Sequence, residues 1–545
     1  MSSAHSKLVD MVTTTARRQA YREQGFWRDE TLAERCRRHA VERGSRIAVI
    51  DRGGERQRTY AELERDAERV AGYLLSIGVT AGDVVAVQLP NWYETVAVDL
   101  GVLKIGGVLN PMLPIYRHRE LSHMLAVGAT KVLFTPTEYR GFDHVALADA
   151  LRVDTPTLAQ HVAIADPDVD AEANELWLAS ATAPGERRSL DPSAVSELLF
   201  TSGTEADPKA VMHTEQTANF AARNVADSLG FEDEDVVWMP SPIGHSTGLN
   251  YGVRVALYHG LPLVLQDRWD AGAAVELIER WRCSYTLVAT TFVRDLVEHA
   301  RGSGSRLSSM RLLGCGGATV PPELVDEASG LGACVLRLYG STEVLVATWN
   351  RPAGAEHVRR ETDGPALEHV EVEVRDDDGR PQVGVAGEIF VRGPNVSVGF
   401  YGDPQRTSAT YASDGWLRSG DIGVLDRDGN LTIVGRKKEI IIRGGLNIAP
   451  REIEELLLAH AAVEEVAVVG LPDPRLGEVA CACVVARAGV SVELAELVSF
   501  LRERGLATFK LPQHLMLVDD LPKTSTGKVR KGELVREAMS RAGVG

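Results

Sequence analysis

Leu198-Leu-Phe-Thr-Ser-Gly-Thr-Glu-Ala-Asp-Pro-Lys209 passes from three apolar residues into a loop of hydroxyls, one glycine and a closing lysine. The apolar residues predict a buried strand. The loop after them can wrap phosphate oxygens with hydroxyl and backbone N–H donors. It lacks the order G-x-x-x-x-G-K-[ST], so it is not a Walker A loop. Read alone, such a loop is equally a solvated turn, and its surroundings have to decide.

Upstream, strands and helices alternate. Arg46–Asp51 reads as a short strand, and Leu63, Ala67, Val70, Ala71 and Leu74 recur at helical spacing after Tyr60. Val84–Leu89 reads as a strand stopped by Pro90, Trp92–Ile105 as a helix ended by Gly106-Gly107, and Lys131–Thr135 as a further strand. This order predicts α/β layers with a largely parallel sheet. Residues 152–192, polar and rich in Pro and Ala, are expected to form an irregular surface excursion.

Downstream, three more segments pair an apolar run with polar chemistry. Tyr339-Gly-Ser-Thr-Glu343 sets a carboxylate beside hydroxyls, the hard-oxygen environment that Mg²⁺ prefers, although a strand end with a surface Glu reads the same way. Ser419-Gly-Asp421 precedes Gly435-Arg436-Lys437-Lys438, and an acidic side chain is a natural acceptor for ribose hydroxyls. Pro522-Lys-Thr-Ser-Thr-Gly-Lys528 holds a lysine on a glycine-flexible loop, able to meet charge developing on a phosphate or to stay solvated. Residues 376–434, rich in Gly and Asp and punctuated by turns, predict a β-rich subdomain. A new α/β pattern begins after Gly435, with a strand over Glu439–Arg443, a helix opened by Pro450 and a strand over Val466–Val469. The domain boundary therefore falls near Arg436–Lys438, dividing residues 1–435 from 436–545.

Bulk properties narrow the function. A chain of 545 residues exceeds one compact core. A net charge of −17 repels phosphate backbones and argues against a nucleic-acid partner. The six cysteines lack zinc spacing, and Cys481 and Cys483 lie in an apolar run, Val479 to Val485, that reads as a buried strand, so core thiols are expected. No apolar signal core opens the chain and no run of 18 apolar residues occurs, so the expectation is a cytoplasmic protein without a membrane partner.

The four polar segments, in this order and spacing, resemble those of the ANL superfamily of acyl-CoA synthetases, carrier-loading adenylation domains and luciferases. The resemblance extends to Thr59-Tyr60-x-Glu62-Leu63, to Gly82–Asn91, to Gly444-Gly-Leu-Asn-Ile-Ala-Pro-Arg-Glu-Ile-Glu454 and to Glu465-Val-Ala-Val-Val-Gly-Leu-Pro-Asp473, and so covers nearly the whole chain. It implies a large N-terminal domain of α/β subdomains plus a β-rich subdomain, followed by a small mobile α+β domain. It implies ATP, Mg²⁺ and CoA, with a small acid as substrate, and it allows a homodimer.

Carried over by position, the resemblance implies that Thr201, Ser202, Gly203, Thr204 and Lys209 hold the β- and γ-phosphates. Gly316, Gly317 and Tyr339, Gly340, Ser341 and Thr342 would frame adenine and the α-phosphate, with Glu343 on Mg²⁺. Asp421 and Arg436 would hold the ribose, and Lys528 would bridge the acid and the α-phosphate. His245 would stand between the acyl pocket and the thiol channel, and Lys438 would be the hinge. Two departures stand out: Glu205, Ala206 and Ala210 replace the usual residues of the phosphate loop, and Gly244 replaces an aromatic before His245. Gly244 is read either as space beside the acyl site or as a backbone turn. Thr247 and Tyr251, four apart on an expected helix, would line the acyl pocket with Gly248.

Asn110–Leu121 and His245-Ser-Thr-Gly248 look similar to ligases of cyclic or medium-size acids, such as the cyclohexanecarboxylate type. The reading is thus acyl-AMP formation followed by transfer to CoA. Within the class it competes with carrier-protein loading and with nitrite activation for diazotisation of an aryl amine. A luciferase-like oxidation and a catalytically silent binding protein on the same fold are further alternatives.

Overall fold

The computed structural model describes residues 12–166, 170, 190–201, 208–318, 320–443, 446–473, 475–524 and 527–542, with the side chain of Asn447 excepted. Two mixed sheets form the body of the large domain. The eight-stranded sheet runs in the order Leu345–Trp349, Val335–Ser341, Leu312–Cys315, Tyr285–Val288, Val237–Met239, Leu263–Leu265, Ile47–Asp51 and Arg56–Thr59. Its interior pairs are parallel and its two edge pairs antiparallel. The six-stranded sheet runs Lys209–Thr214, Val195–Thr201, Val108–Pro111, Val84–Val87, Val132–Pro136 and Gln160–Ile164, parallel except for its first pair.

The alternation read from the sequence is the fold. Helix Tyr60–Ser76 starts where Thr59 and Glu62 cap each other reciprocally, each accepting from the other's backbone N–H, and it buries Leu63, Ala67, Val70, Ala71 and Leu74. Residues 371–436 form the β-rich part, a five-stranded antiparallel sheet ending with Leu417–Leu425 and Leu431–Arg436. From Ile441 onward a separate sheet of Leu446–Ile448, Ile441–Arg443, Gly477–Ala486, Val463–Asp473 and His514–Leu517 carries helices Pro450–Leu458, Leu494–Glu503 and Lys531–Ala542. Ile453, Leu457, Leu497 and Leu501 are fully buried in the core of this small α+β domain, each contributing about 1.5–3 kcal/mol of hydrophobic stabilisation.

Some expectations are corrected. Residues 152–192 are not wholly irregular: helix His144–Asp154 extends into them, and Gln160–Ile164 pairs in parallel with Val132–Pro136. Five residues alternating between the two faces at the end of a sheet carry too little apolar signal to be read as a strand. Most of the remainder of that stretch lies outside the described residues. The strand expected over Glu439–Arg443 is shorter, because Lys437–Glu439 closes a 3₁₀ turn before Ile441–Arg443. The strand around Val466–Val469 is longer, spanning Val463–Asp473. Cys481 and Cys483 lie on Gly477–Ala486 and pack among Leu521, Leu534 and Ala538. No helix among the described residues is long and apolar enough to cross a membrane.

Candidate active site

Thr201 and Lys209 are register partners at the ends of two adjacent antiparallel strands, Val195–Thr201 and Lys209–Thr214. Ser202, Gly203, Thr204, Glu205 and Ala206 lie outside the described residues. Strand Lys209–Thr214 is tied to a second loop. His213, fully buried, donates from Nε2 to the Thr342 carbonyl at 2.8 Å, and its Nδ1 lies 3.1 Å from the Thr217 hydroxyl. Burial holds His213 below the ordinary histidine range, which keeps it neutral and suits the Nε2–H tautomer.

Glu343 stands in the three-residue loop of the hairpin formed by Val335–Ser341 and Leu345–Trp349, where Ser341 pairs with Leu345. Its backbone carbonyl accepts from Ser397 N–H at 2.8 Å. Its carboxylate has no hydrogen-bond or ion-pair partner among the described residues. Gly340 precedes it by necessity: a Cβ there would meet the Leu345 carbonyl oxygen at 2.0 Å. Gly316 and Gly317 close the neighbouring strand Leu312–Cys315. A Cβ on Gly316 would meet the Leu338 carbonyl at 2.8 Å, whereas Gly317 adopts φ +79° in open space.

Asp421 and Arg436 are register partners on adjacent strands. The Tyr339 phenol donates to Asp421 Oδ2 at 2.7 Å, and Arg436 Nε lies 3.3 Å from Oδ1. Asp421 is only 9% exposed, and burial raises its pKa against the pull of Arg436, Tyr339 and Lys528. Lys528 comes from the small domain on a loop that turns at Gly527 (φ +81°), with Thr524 N–H donating to the Lys528 carbonyl at 2.7 Å. A methyl group on Gly527 would lie 3.9 Å from Thr291 Oγ1 of the large domain, so the loop is seated against that domain.

Lys528 and Arg436 have solvent-exposed side chains, although protein atoms crowd around both. Enclosure is the main influence holding the Lys528 ammonium below the usual lysine range. Arg436 adds to it, while Asp421, Glu343 and Glu439 oppose it. One cleft therefore gathers Lys528, Arg436, Asp421, Glu343 and Tyr339, with His245 at its side.

His245 caps the short helix Ser246–Gly248. Its Nδ1 accepts from Thr247 N–H at 3.2 Å, which leaves the ring proton on Nε2. Burial, and then the Lys528 charge, push its pKa down to about 4. His259 is likewise held at about 4 by burial. An unfolded histidine titrates near pH 6.5. Above that, neither state is charged and these groups cost nothing. As pH falls toward 4 the unfolded chain takes up protons that the fold refuses, so stability is lost through that window and levels off below it. Urea midpoints are therefore expected to be similar at pH 8 and 7 and to fall steadily from pH 6.5 to 4.5.

Two substrate-pocket expectations meet the structure differently. Thr247 and Tyr251 are not one α-helical turn apart, because the α-helical turn Ser246–Gly248 gives way to a π-helix over Leu249–Arg254. The wider turn of a π-helix breaks the i, i+4 alignment. Tyr251, 3% exposed, faces inward: its hydroxyl accepts from Val346 N–H at 2.6 Å, and its ring meets Trp349 edge-on. Gly244 leaves no space, since a Cβ would meet the Met112 carbonyl oxygen at 2.4 Å and Leu113 N at 2.8 Å. Gly248 is similarly packed on the Pro242 carbonyl, at 2.2 Å from a would-be Cβ. Gly244→Ala is thus expected to destabilise the fold by about 1–3 kcal/mol through overpacking, read as a lower urea midpoint.

Residues that the sequence reading passed over hold this site from behind. Arg254, on the π-helix, pairs with Glu197 before the phosphate loop and with Glu215 at 3.0 Å on the helix after it, and all three are buried. Asn395, 1% exposed, donates to two carbonyls beside Glu343. The signal for Glu197 and Arg254 was an ionisable residue inside an apolar run, which a buried pair explains.

Residues 36–401 match the AMP-binding enzyme family, and residues 452–528 match the AMP-binding enzyme C-terminal domain. The medium-chain fatty-acid–CoA ligase of Escherichia coli (strain K12) is 36% identical over 540 residues, covering 98% of this chain and 95% of its own. The indoleacetate–CoA ligase of Aromatoleum aromaticum is 33% identical, covering 94% and 98%. Among solved structures, ATP-bound MatB from Rhodopseudomonas palustris shares the fold with a TM-score of 0.84 at 28% identity, covering 93% of this chain and 98% of that one. With both of its domains matched and a cleft between them that gathers the polar residues of all but the phosphate-loop motif, this chain belongs to the AMP-binding enzyme family, the adenylate-forming ANL superfamily.

Proposed function

We propose that this chain is an AMP-forming acid–CoA ligase acting on a medium-size cyclic or aromatic carboxylic acid. The observation that carries the reading is that Lys528, borne by the small domain, comes within electrostatic range of Asp421 and Glu343 of the large one and of Arg436 at their junction. Two relatives bear names that specify a medium-chain fatty acid and indoleacetate as the acids joined to CoA, which supports an acid of that size.

A carboxylate is a poor electrophile, because its leaving group would be oxide. Attack of its oxygen on the α-phosphorus of ATP expels pyrophosphate and leaves an acyl-AMP. A thiolate then attacks the carbonyl carbon, and AMP departs. In this reading Asp421 accepts from the ribose hydroxyls with Tyr339 and Arg436 orienting it. Thr201, Ser202, Gly203, Thr204 and Lys209 donate to the outer phosphates. Glu343 suits Mg²⁺, since that ion takes one or two carboxylates together with substrate phosphates, and the Glu343 carboxylate is uncommitted among the described residues. When bound, the ion neutralises phosphate charge. Lys528 donates to the α-phosphate oxygens as negative charge concentrates there. Neutral His245 stands beside the acyl group, and the small domain turns about Lys438 to withdraw Lys528 before thiol attack.

The test is ATP–pyrophosphate exchange over a panel of acids, with AMP release measured with and without CoA. Exchange with ring acids and CoA-dependent AMP release are expected. Efficient exchange with palmitate and none with any ring acid would overturn the substrate class. AMP release that needs nitrite and an aminobenzoate, with none from carboxylates, would move the enzyme to diazotisation.

A further inference from the structure

The strand that follows the Glu343 loop opens on a conformational anomaly. Leu345, 2% exposed, adopts φ +53°, a left-handed conformation that side chains other than glycine, asparagine and aspartate rarely take. The backbone on both sides is anchored. His213 donates to the Thr342 carbonyl at 2.8 Å, Ser397 N–H to the Glu343 carbonyl at 2.8 Å, and Val346 N–H donates to the Tyr251 hydroxyl at 2.6 Å. Asn395 alone among these binds the chain on both sides of Leu345, at the carbonyls of its two neighbouring residues. Its Nδ2 donates to Val344 O at 2.6 Å and to Val346 O at 3.1 Å. The opposite amide orientation would set Oδ1 against two carbonyl oxygens, so the donor assignment follows from the surroundings.

A strained residue persists only where its surroundings over-determine it. We propose that Asn395 is a positioning residue: by binding the chain one residue before and one residue after Leu345 it holds the left-handed turn and so fixes where the Glu343 carboxylate points. Tyr251, lying on the helical segment that starts at His245, adds a second anchor at Val346 and ties this turn to the acyl side of the site. The role of Asn395 is exerted through Glu343, and it rests on the reading that Glu343 serves the metal–nucleotide complex.

Glycine takes φ > 0 without the Cβ penalty, and this makes the proposal separable from ordinary core packing. Asn395→Ala, which removes both donors, is expected to raise the KM for Mg²⁺–ATP or lower the rate of ATP–pyrophosphate exchange by a combined factor of about 100, as misplacement of a catalytic group does. Adding Leu345→Gly should restore at least about tenfold of that loss, because the turn no longer needs enforcing, while the melting temperature falls further from lost burial. Activity and stability would then move in opposite directions, which a merely space-filling asparagine does not produce.

Asn395→Asp, close to isosteric, repeats the test if the alanine variant folds poorly. A double variant no more active than Asn395→Ala or Asn395→Asp alone would overturn the proposal. So would single variants with unaltered kinetics when Glu343→Gln abolishes exchange. Full exchange by Glu343→Gln would instead overturn the underlying reading of Glu343.

Discussion

Lys528→Ala is expected to slow acyl-AMP formation by about three orders of magnitude, while leaving conversion of supplied acyl-AMP to thioester nearly unchanged. The reason is geometric. Lys528 comes from the small domain to within electrostatic range of Asp421, Arg436 and Glu343, which stay where they are without it. Its loop contributes little to either core, since Lys528 is exposed to the cleft, so the variant should fold. Pyrophosphate exchange measures the first half-reaction, and single-turnover consumption of synthetic acyl-AMP with CoA measures the second. Equal losses in both would show that Lys528 also serves thiol attack and would refute its assignment to adenylation alone.

The second large effect concerns the link between domains. Lys437 pairs with Glu388 of the large domain at 3.0 Å, and Glu439 lies 3.4 Å from Lys531 of the small domain, which also binds Glu454 at 2.7 Å. Lys438 stands between these anchors, in a 3₁₀ turn whose backbone angles proline accepts. Lys438→Pro is therefore expected to keep most of the adenylation rate. It should lose roughly 100-fold or more in the thioester step, because φ can no longer swing to another region. Unimpaired CoA-dependent turnover by a normally folded variant would place the pivot elsewhere.

The parts of the fold that were legible in the sequence are those whose signal is local. The Thr59–Glu62 capping box, the spacing of Leu63, Ala67, Val70 and Leu74, and the apolar runs at Val84 and Val132 each encode an element within a few residues. The resemblance then supplied an expectation that no local pattern contains, namely that Thr201, Glu343, Asp421 and Lys528 would serve one chemistry. Misreadings arose where a longer-range constraint prevailed. Of the two readings of Gly244, space beside the acyl site is excluded, because the Met112–Leu113 backbone, more than 130 positions away in the chain, occupies that space. Thr247 and Tyr251 read as neighbours on an α-helical face, but the π-helix turns the phenol toward Val346.

The sequence by itself determined the α/β architecture and the adenylate-forming class, because hydrophobic period, turn residues and motif order are written along the chain. Only the tertiary structure decided which groups share the cleft, that both oxygens of Asp421 are engaged by Tyr339 and Arg436, and that Asn395 and Tyr251 hold the Glu343 turn. Those contacts join residues up to 95 positions apart. Their existence depends on how sheets and helices pack, and a one-dimensional pattern does not carry the relative placement of surfaces that meet only after folding.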